Sequence, residues 1–137
     1  MIIQTDQNFR AVKNMDSEDY TLYLKGLEEY EKGCYADAVC YFERSNSISE
    51  HFKCYERLYC CWLQLGDAQK AFSCIEKAYQ LNPRNDKTAY EYAHMLAESK
   101  DNKSAQKVLL SIIQRNPSFK KASVLADSIK KNVNTQE

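Results

Sequence analysis

The chain has 137 residues, with nineteen Lys and Arg against nineteen Asp and Glu. That is the length of one ordinary domain, enough to bury a core without disulfides or a structural metal. Zero net charge offers no argument for nucleic acid or a membrane surface, and no run approaches the roughly 18 apolar residues of a membrane span. The first residues, MIIQTDQNFRAVK, hold no apolar run long enough for a secretory signal, so a cytoplasmic location is expected.

Residues 1–18 read as an N-terminal segment, partly disordered or a short helix, with Ile2, Ile3, Phe9, Val12 and Met15 as its apolar anchors. From Tyr20 the apolar positions adopt helical spacing: Tyr20, Leu22, Tyr23, Leu27 and Tyr30, stopped by Gly33. A second series carries Ala38, Val39, Phe42 and Ile48. Phe52, Tyr55, Leu58, Tyr59, Trp62 and Leu65 make a third helix, stopped by Gly66. Ala71, Phe72, Ile75, Ala78 and Tyr79 make a fourth, closed by Pro83, which cannot continue a helix. Ala89, Tyr92, Ala93 and Leu96 predict a fifth, and Ala105, Val108, Leu109, Ile112 and Ile113 a sixth. The last stretch sets Phe119, Ala122, Leu125, Ala126 and Ile129 against a polar face of Lys120, Lys121, Asp127, Lys130 and Lys131. No window shows sustained strand alternation, so the fold class is all-α.

The spacing is regular. Gly33 and Gly66 are 33 apart, Ala38, Ala71 and Ala105 are 33 and 34 apart, and Pro83 and Pro117 are 34 apart. Phe42, Ile75 and Leu109 follow the alanines at the same offset. Small residues at one position allow two helices to cross closely, and the larger residue four places on fills the space between hairpins. A fixed period of this length marks a stacked repeat.

These residues resemble the tetratricopeptide repeat family, whose unit is a 34-residue helix–turn–helix. Gly26, Gly33, Tyr35, Ala38 and Phe42 carry the likeness in residues 19–51; Leu58, Trp62, Gly66, Ala71, Ala78 and Pro83 in 52–85; Ala93, Ala105 and Pro117 in 86–119. The pattern breaks at Glu50, near an expected proline, at Tyr59, where a small residue is usual, and at Lys100, in place of the turn glycine. The resemblance implies a right-handed superhelical array of three hairpins over 19–119, with 120–137 as a capping helix and tail. It also implies a non-catalytic module that binds a peptide or protein segment in a concave groove. The family's groove positions fall here on Tyr20, Tyr23, Leu27, Tyr30, Lys53, Arg57, Gln64, Lys87, Tyr90 and His94. Glu56, Cys60, Glu91 and Glu98 fall on groove positions as well.

One subfamily grips the free carboxylate of chaperone tails with a basic and amide clamp. At those positions this sequence has Tyr23, Leu27, Arg57, Lys87 and Glu91, of which only Lys87 matches, and Glu91 would repel a carboxylate. More distantly the chain resembles the class II chaperones of type III secretion, which hold hydrophobic translocator segments. That likeness implies a cytosolic chaperone as the alternative function. Neither likeness implies a nucleic-acid or membrane partner, and a homodimer stays open.

Six cysteines raise a third reading, a thiol, redox or metal protein. They form no C-x-x-C pair and have no histidine at zinc spacing; His51 and His94 are isolated. Cysteine as a small buried apolar residue is the simpler reading. No catalytic set, cofactor loop or metal-ligand motif is expected, and Glu28–Glu29 reads as a solvated helix face.

Overall fold

A computed structural model describes residues 17–136. The expectations for residues 1–16 lie outside the described residues. Seven α-helices are described and, among those residues, no strand: α1 Glu18–Glu31, α2 Tyr35–Ile48, α3 Phe52–Gln64, α4 Ala68–Leu81, α5 Asp86–Glu98, α6 Asn102–Arg115 and α7 Lys120–Gln136. Each coincides with one apolar series of the sequence. The chain divides into two units, one up to Leu81 and one from Asn82.

The three hairpin turns close in the same way. After α1, Gly33 N–H donates to the Tyr30 carbonyl (3.0 Å) and Cys34 N–H to that of Glu29 (2.9 Å). After α3, Gly66 N–H donates to Leu63 (3.1 Å) and Asp67 N–H to Trp62 (2.9 Å). After α5, Lys100 N–H donates to Ala97 (3.0 Å) and Asp101 N–H to Leu96 (2.9 Å). Each pair satisfies two carbonyls that the helix end leaves over, and each needs a left-handed residue at the turn. Gly33 and Gly66 sit at φ +81° and +80°. Lys100 takes the same conformation at φ +69°, so the missing glycine of the third repeat leaves the turn unchanged.

Aspartates start two of the second helices. Asp67 Oδ1 accepts from Lys70 N–H (3.0 Å) at the start of α4, and Asp101 Oδ1 accepts from Ser104 N–H (3.2 Å) at the start of α6. Asn85 caps α5 through Thr88 N–H (3.0 Å). His51 Nδ1 accepts from Lys53 N–H (3.1 Å) at the start of α3.

In the first unit α1 packs on α2, α2 on α3, and α3 on α4. The core joins Tyr20, Tyr23 and Leu27 of α1 to Ala38, Val39 and Phe42 of α2 and to Cys54, Leu58 and Cys61 of α3. Gly26 lies against Phe42: a Cβ there would stand 2.6 Å from Cε1 and 2.7 Å from Cδ1 of the ring. The missing side chain is what admits an aromatic ring at the crossing. One repeat on, the two positions hold Tyr59 and Ile75, and in the third Ala93 and Leu109, all buried. Tyr59 is thus accommodated in the core at a position where the family's pattern has a small residue. Ser45 Oγ adds a buried hydrogen bond to the Asp19 carbonyl (2.7 Å) between α1 and α2.

In the second unit α5 packs on α6 and α6 on α7, with a smaller contact of α5 on α7. Arg115 at the end of α6 returns to the start of α5, with Nη2 2.9 Å from Asp86 Oδ1 and donating to the Pro83 carbonyl (3.3 Å).

Candidate functional site

The first helices of the hairpins carry the residues expected to meet a partner. In the first unit the structure moves three of them to the inside. Tyr20, Tyr23 and Leu27 are core residues, and Tyr23 is 0% exposed, its ring 5.7 Å from that of Phe42. The apolar stripe of α1 faces α2 and α3, so these side chains hold the hairpin and offer no surface to a ligand.

Tyr30, one turn beyond Leu27, is half-buried beside the Tyr35 ring (centroids 5.2 Å apart). Burial, then the neighbouring Cys60 and Cys61 thiols, push its phenol above the ordinary value, while Arg57 pulls it down. Tyr30 packs against the core that α1 shares with α2 and α3. Lys53, one turn before Arg57 on α3, lies 3.9 Å from the buried Glu56 carboxylate, and Gln64 at the helix end is exposed.

In the second unit Tyr90 is the centre of a small aromatic group. Its ring lies 5.9 Å from Phe119, edge to face, and 6.3 Å from the His94 imidazole. The Lys121 ammonium stands 6.0 Å over the Tyr90 centroid, at the reach of a cation–π contact. His94 Nδ1 lies 3.5 Å from Glu98 Oε1. Below His94 opens a cavity of about 310 Å³ between α5 and α7. Ala97, Leu125 and Ile129 give it apolar wall; Glu98, Lys100, Asn102, Ser128 and Asn132 give it polar wall. Lys87, one turn before Tyr90, is exposed.

Phe119 and Lys121 lie outside the family's groove positions; Lys121 belongs to the polar face of the last amphipathic stretch. The sequence holds a signal for it. Lys53, Lys87 and Lys121 recur at separations of 34, the period of the repeat, so α7 opens as a further first helix would.

Cys54 and Cys61 are fully buried and behave as small core residues, whereas Cys34 and Cys40 are exposed, contrary to the single apolar reading of the cysteines. Burial and the nearby Cys60 and Cys74 thiols push the Cys61 thiol up to about 12, and burial, helped by Glu43, pushes Cys74 up to about 11. Both stay neutral and poorly nucleophilic at physiological pH. At the first turn Glu29, Cys34 and Asp37 bring donor atoms within 4.8 Å of one another on the surface. Among the described residues, no helix is long and apolar enough to cross a membrane.

The sequence profile of the tetratricopeptide repeat matches residues 63–126. No curated protein sequence matches the chain. Among solved structures, the first tetratricopeptide domain of Spaghetti (RPAP3), bound to an HSP90 peptide, is similar with a TM-score of 0.73 at 15% identity, over 85% of this chain and 94% of that one. The Yersinia enterocolitica type III secretion translocator chaperone SycD is similar with a TM-score of 0.70 at 19% identity, over 86% of this chain and 88% of that one. SycD in complex with a peptide of the translocator YopD gives a TM-score of 0.67 at 19% identity, over 90% and 98%. Identities this low speak for fold alone. Residues 63–126 thus carry the tetratricopeptide repeat in sequence, and the helical array carries its fold.

Proposed function

We propose that this chain is a non-catalytic interaction module of the cytoplasm that binds an extended segment of another protein on the first helices of its hairpins. The observation that carries the reading is the Tyr90 group. A half-buried tyrosine is held by Phe119 and His94, beside a cavity with both apolar and polar wall. A large, pre-positioned ring with a polar tip suits peptide recognition, because little rotamer freedom is lost on binding. Tyr30, Lys53, Arg57 and Gln64 serve the same role in the first unit, and Lys87 and His94 flank Tyr90 in the second. The peptide complexes of the Spaghetti (RPAP3) domain and of SycD, which share the fold, support this reading. The SycD–YopD complex also supports a narrower reading, a secretion chaperone with a hydrophobic client; a client that co-purifies with the chain and precipitates without it would select it.

The test is affinity capture with the intact chain, followed by mass spectrometry. Arg57→Ala and Tyr90→Ala are expected to weaken capture by about 2 kcal/mol each, roughly thirtyfold, with the helical melt nearly intact. Tyr23→Ala is expected to act differently, lowering stability by about 3–5 kcal/mol because it empties a core position. Normal capture by folded Arg57→Ala and Tyr90→Ala variants would refute the assignment.

A further inference from the structure

The balanced total charge conceals a division. Residues up to Leu81 hold nine Lys and Arg against thirteen Asp and Glu, while those from Asn82 hold ten against six. Within the second unit, Arg115 is paired with Asp86 and His94 stands against Glu98. The excess lies largely on α7, where Lys120, Lys121, Lys130 and Lys131 face only Asp127 between residues 120 and 132. Of these lysines, Lys121 is the one held against the aromatic group, with its ammonium over Tyr90.

We infer that α7 is part of the binding site and that Lys121 is a specificity-determining residue. It selects a segment in which an Asp or Glu is next to an apolar residue. This rests on the peptide-binding reading of the same face. The apolar residue of the segment packs on Tyr90 and Phe119, and its acidic neighbour meets the Lys121 ammonium. The complementarity is local to the second unit, whose excess of basic residues attracts an acidic segment, as fields of one sign steer an opposite partner. Lys130 provides the control. Nine residues on from Lys121, it lies two and a half helical turns away and so on the opposite side of α7.

The probe is a displayed library of random peptides sorted against the full chain, followed by titration of the selected peptides. Peptides selected by the wild type are expected to carry Asp or Glu beside an aliphatic or aromatic residue. They are expected to bind Lys121→Glu about tenfold more weakly and Lys130→Glu within about twofold of wild type, as reversal of one exposed charge allows. The loss at Lys121 is expected to shrink as salt rises. Selected peptides without an acidic preference, or equal binding to Lys121→Glu, overturn the inference and leave the peptide-binding reading standing. Failure to enrich any peptide overturns both. Binding of a labelled single-stranded RNA that is lost equally in Lys121→Glu and Lys130→Glu also overturns it, since the basic surface would then attract any polyanion.

Discussion

Gly26→Ala tests the packing of the first hairpin directly. In an exposed helix interior this change would stabilise by about 1 kcal/mol, because alanine has the higher helix propensity. At position 26 the new methyl meets three atoms of the Phe42 ring at 2.6, 2.7 and 2.9 Å, closer than such contacts are tolerated. The ring cannot swing aside cheaply: Phe42 is 0% exposed and lies against Tyr23, itself 0% exposed. Overpacking of this kind costs about 1–3 kcal/mol. The expected outcome is therefore a net loss of up to about 2 kcal/mol, against the sign that propensity alone gives. Urea denaturation followed by circular dichroism measures it. The double variant Gly26→Ala/Phe42→Leu reproduces the Ala93 and Leu109 pair of the third hairpin. It is expected to be more stable than the sum of the two single changes by about 1 kcal/mol or more, the coupling expected of residues in contact. If Gly26→Ala stabilises the chain, or the two changes are additive, α1 and α2 do not cross at Gly26 and Phe42.

Lys100→Gly is expected to stabilise by about 0.5–1 kcal/mol, since glycine takes the left-handed turn without the Cβ penalty; an unchanged denaturation midpoint would mean that Lys100 is not strained there. The thiols give a pH dependence. Cys61 and Cys74 keep their protons to about pH 12 and 11 in the folded chain, whereas thiols of the unfolded chain ionise near their ordinary value of 9.0. Stability is therefore expected to be unaffected by these groups below pH 9, to fall as pH rises above it, and to fall less steeply in Cys61→Ala, as measured by urea titrations at successive pH values. At pH 8, iodoacetamide is expected to label Cys34 and Cys40 promptly and Cys54 and Cys61 only after unfolding, a pattern read by peptide mass mapping.

The helices and their pairing into hairpins are legible in the order of the amino acids alone. Apolar spacing marks each helix, Gly33 and Gly66 mark two of the turns, and the 33- and 34-residue separations of the alanines mark the crossings. These signals are local or periodic, so they survive without knowledge of the packing. The third hairpin forms despite Lys100 at its turn, because the hydrogen bonds of the turn tolerate a strained residue. Which tyrosines are available to a partner depends instead on how the helices pack. Tyr20, Tyr23, Tyr30 and Tyr90 all lie on helical stripes, and tyrosine, apolar in its ring and polar at its tip, fits either side of such a stripe. Tyr20 and Tyr23 are enclosed because α2 and α3 close over that side of α1, while Tyr90 stays half open where α7 meets α5. Lys121 was legible as a charge and as a member of the 34-residue lysine series. Its place over the Tyr90 ring follows from the docking of α7, thirty-one residues along the chain, which no local pattern encodes.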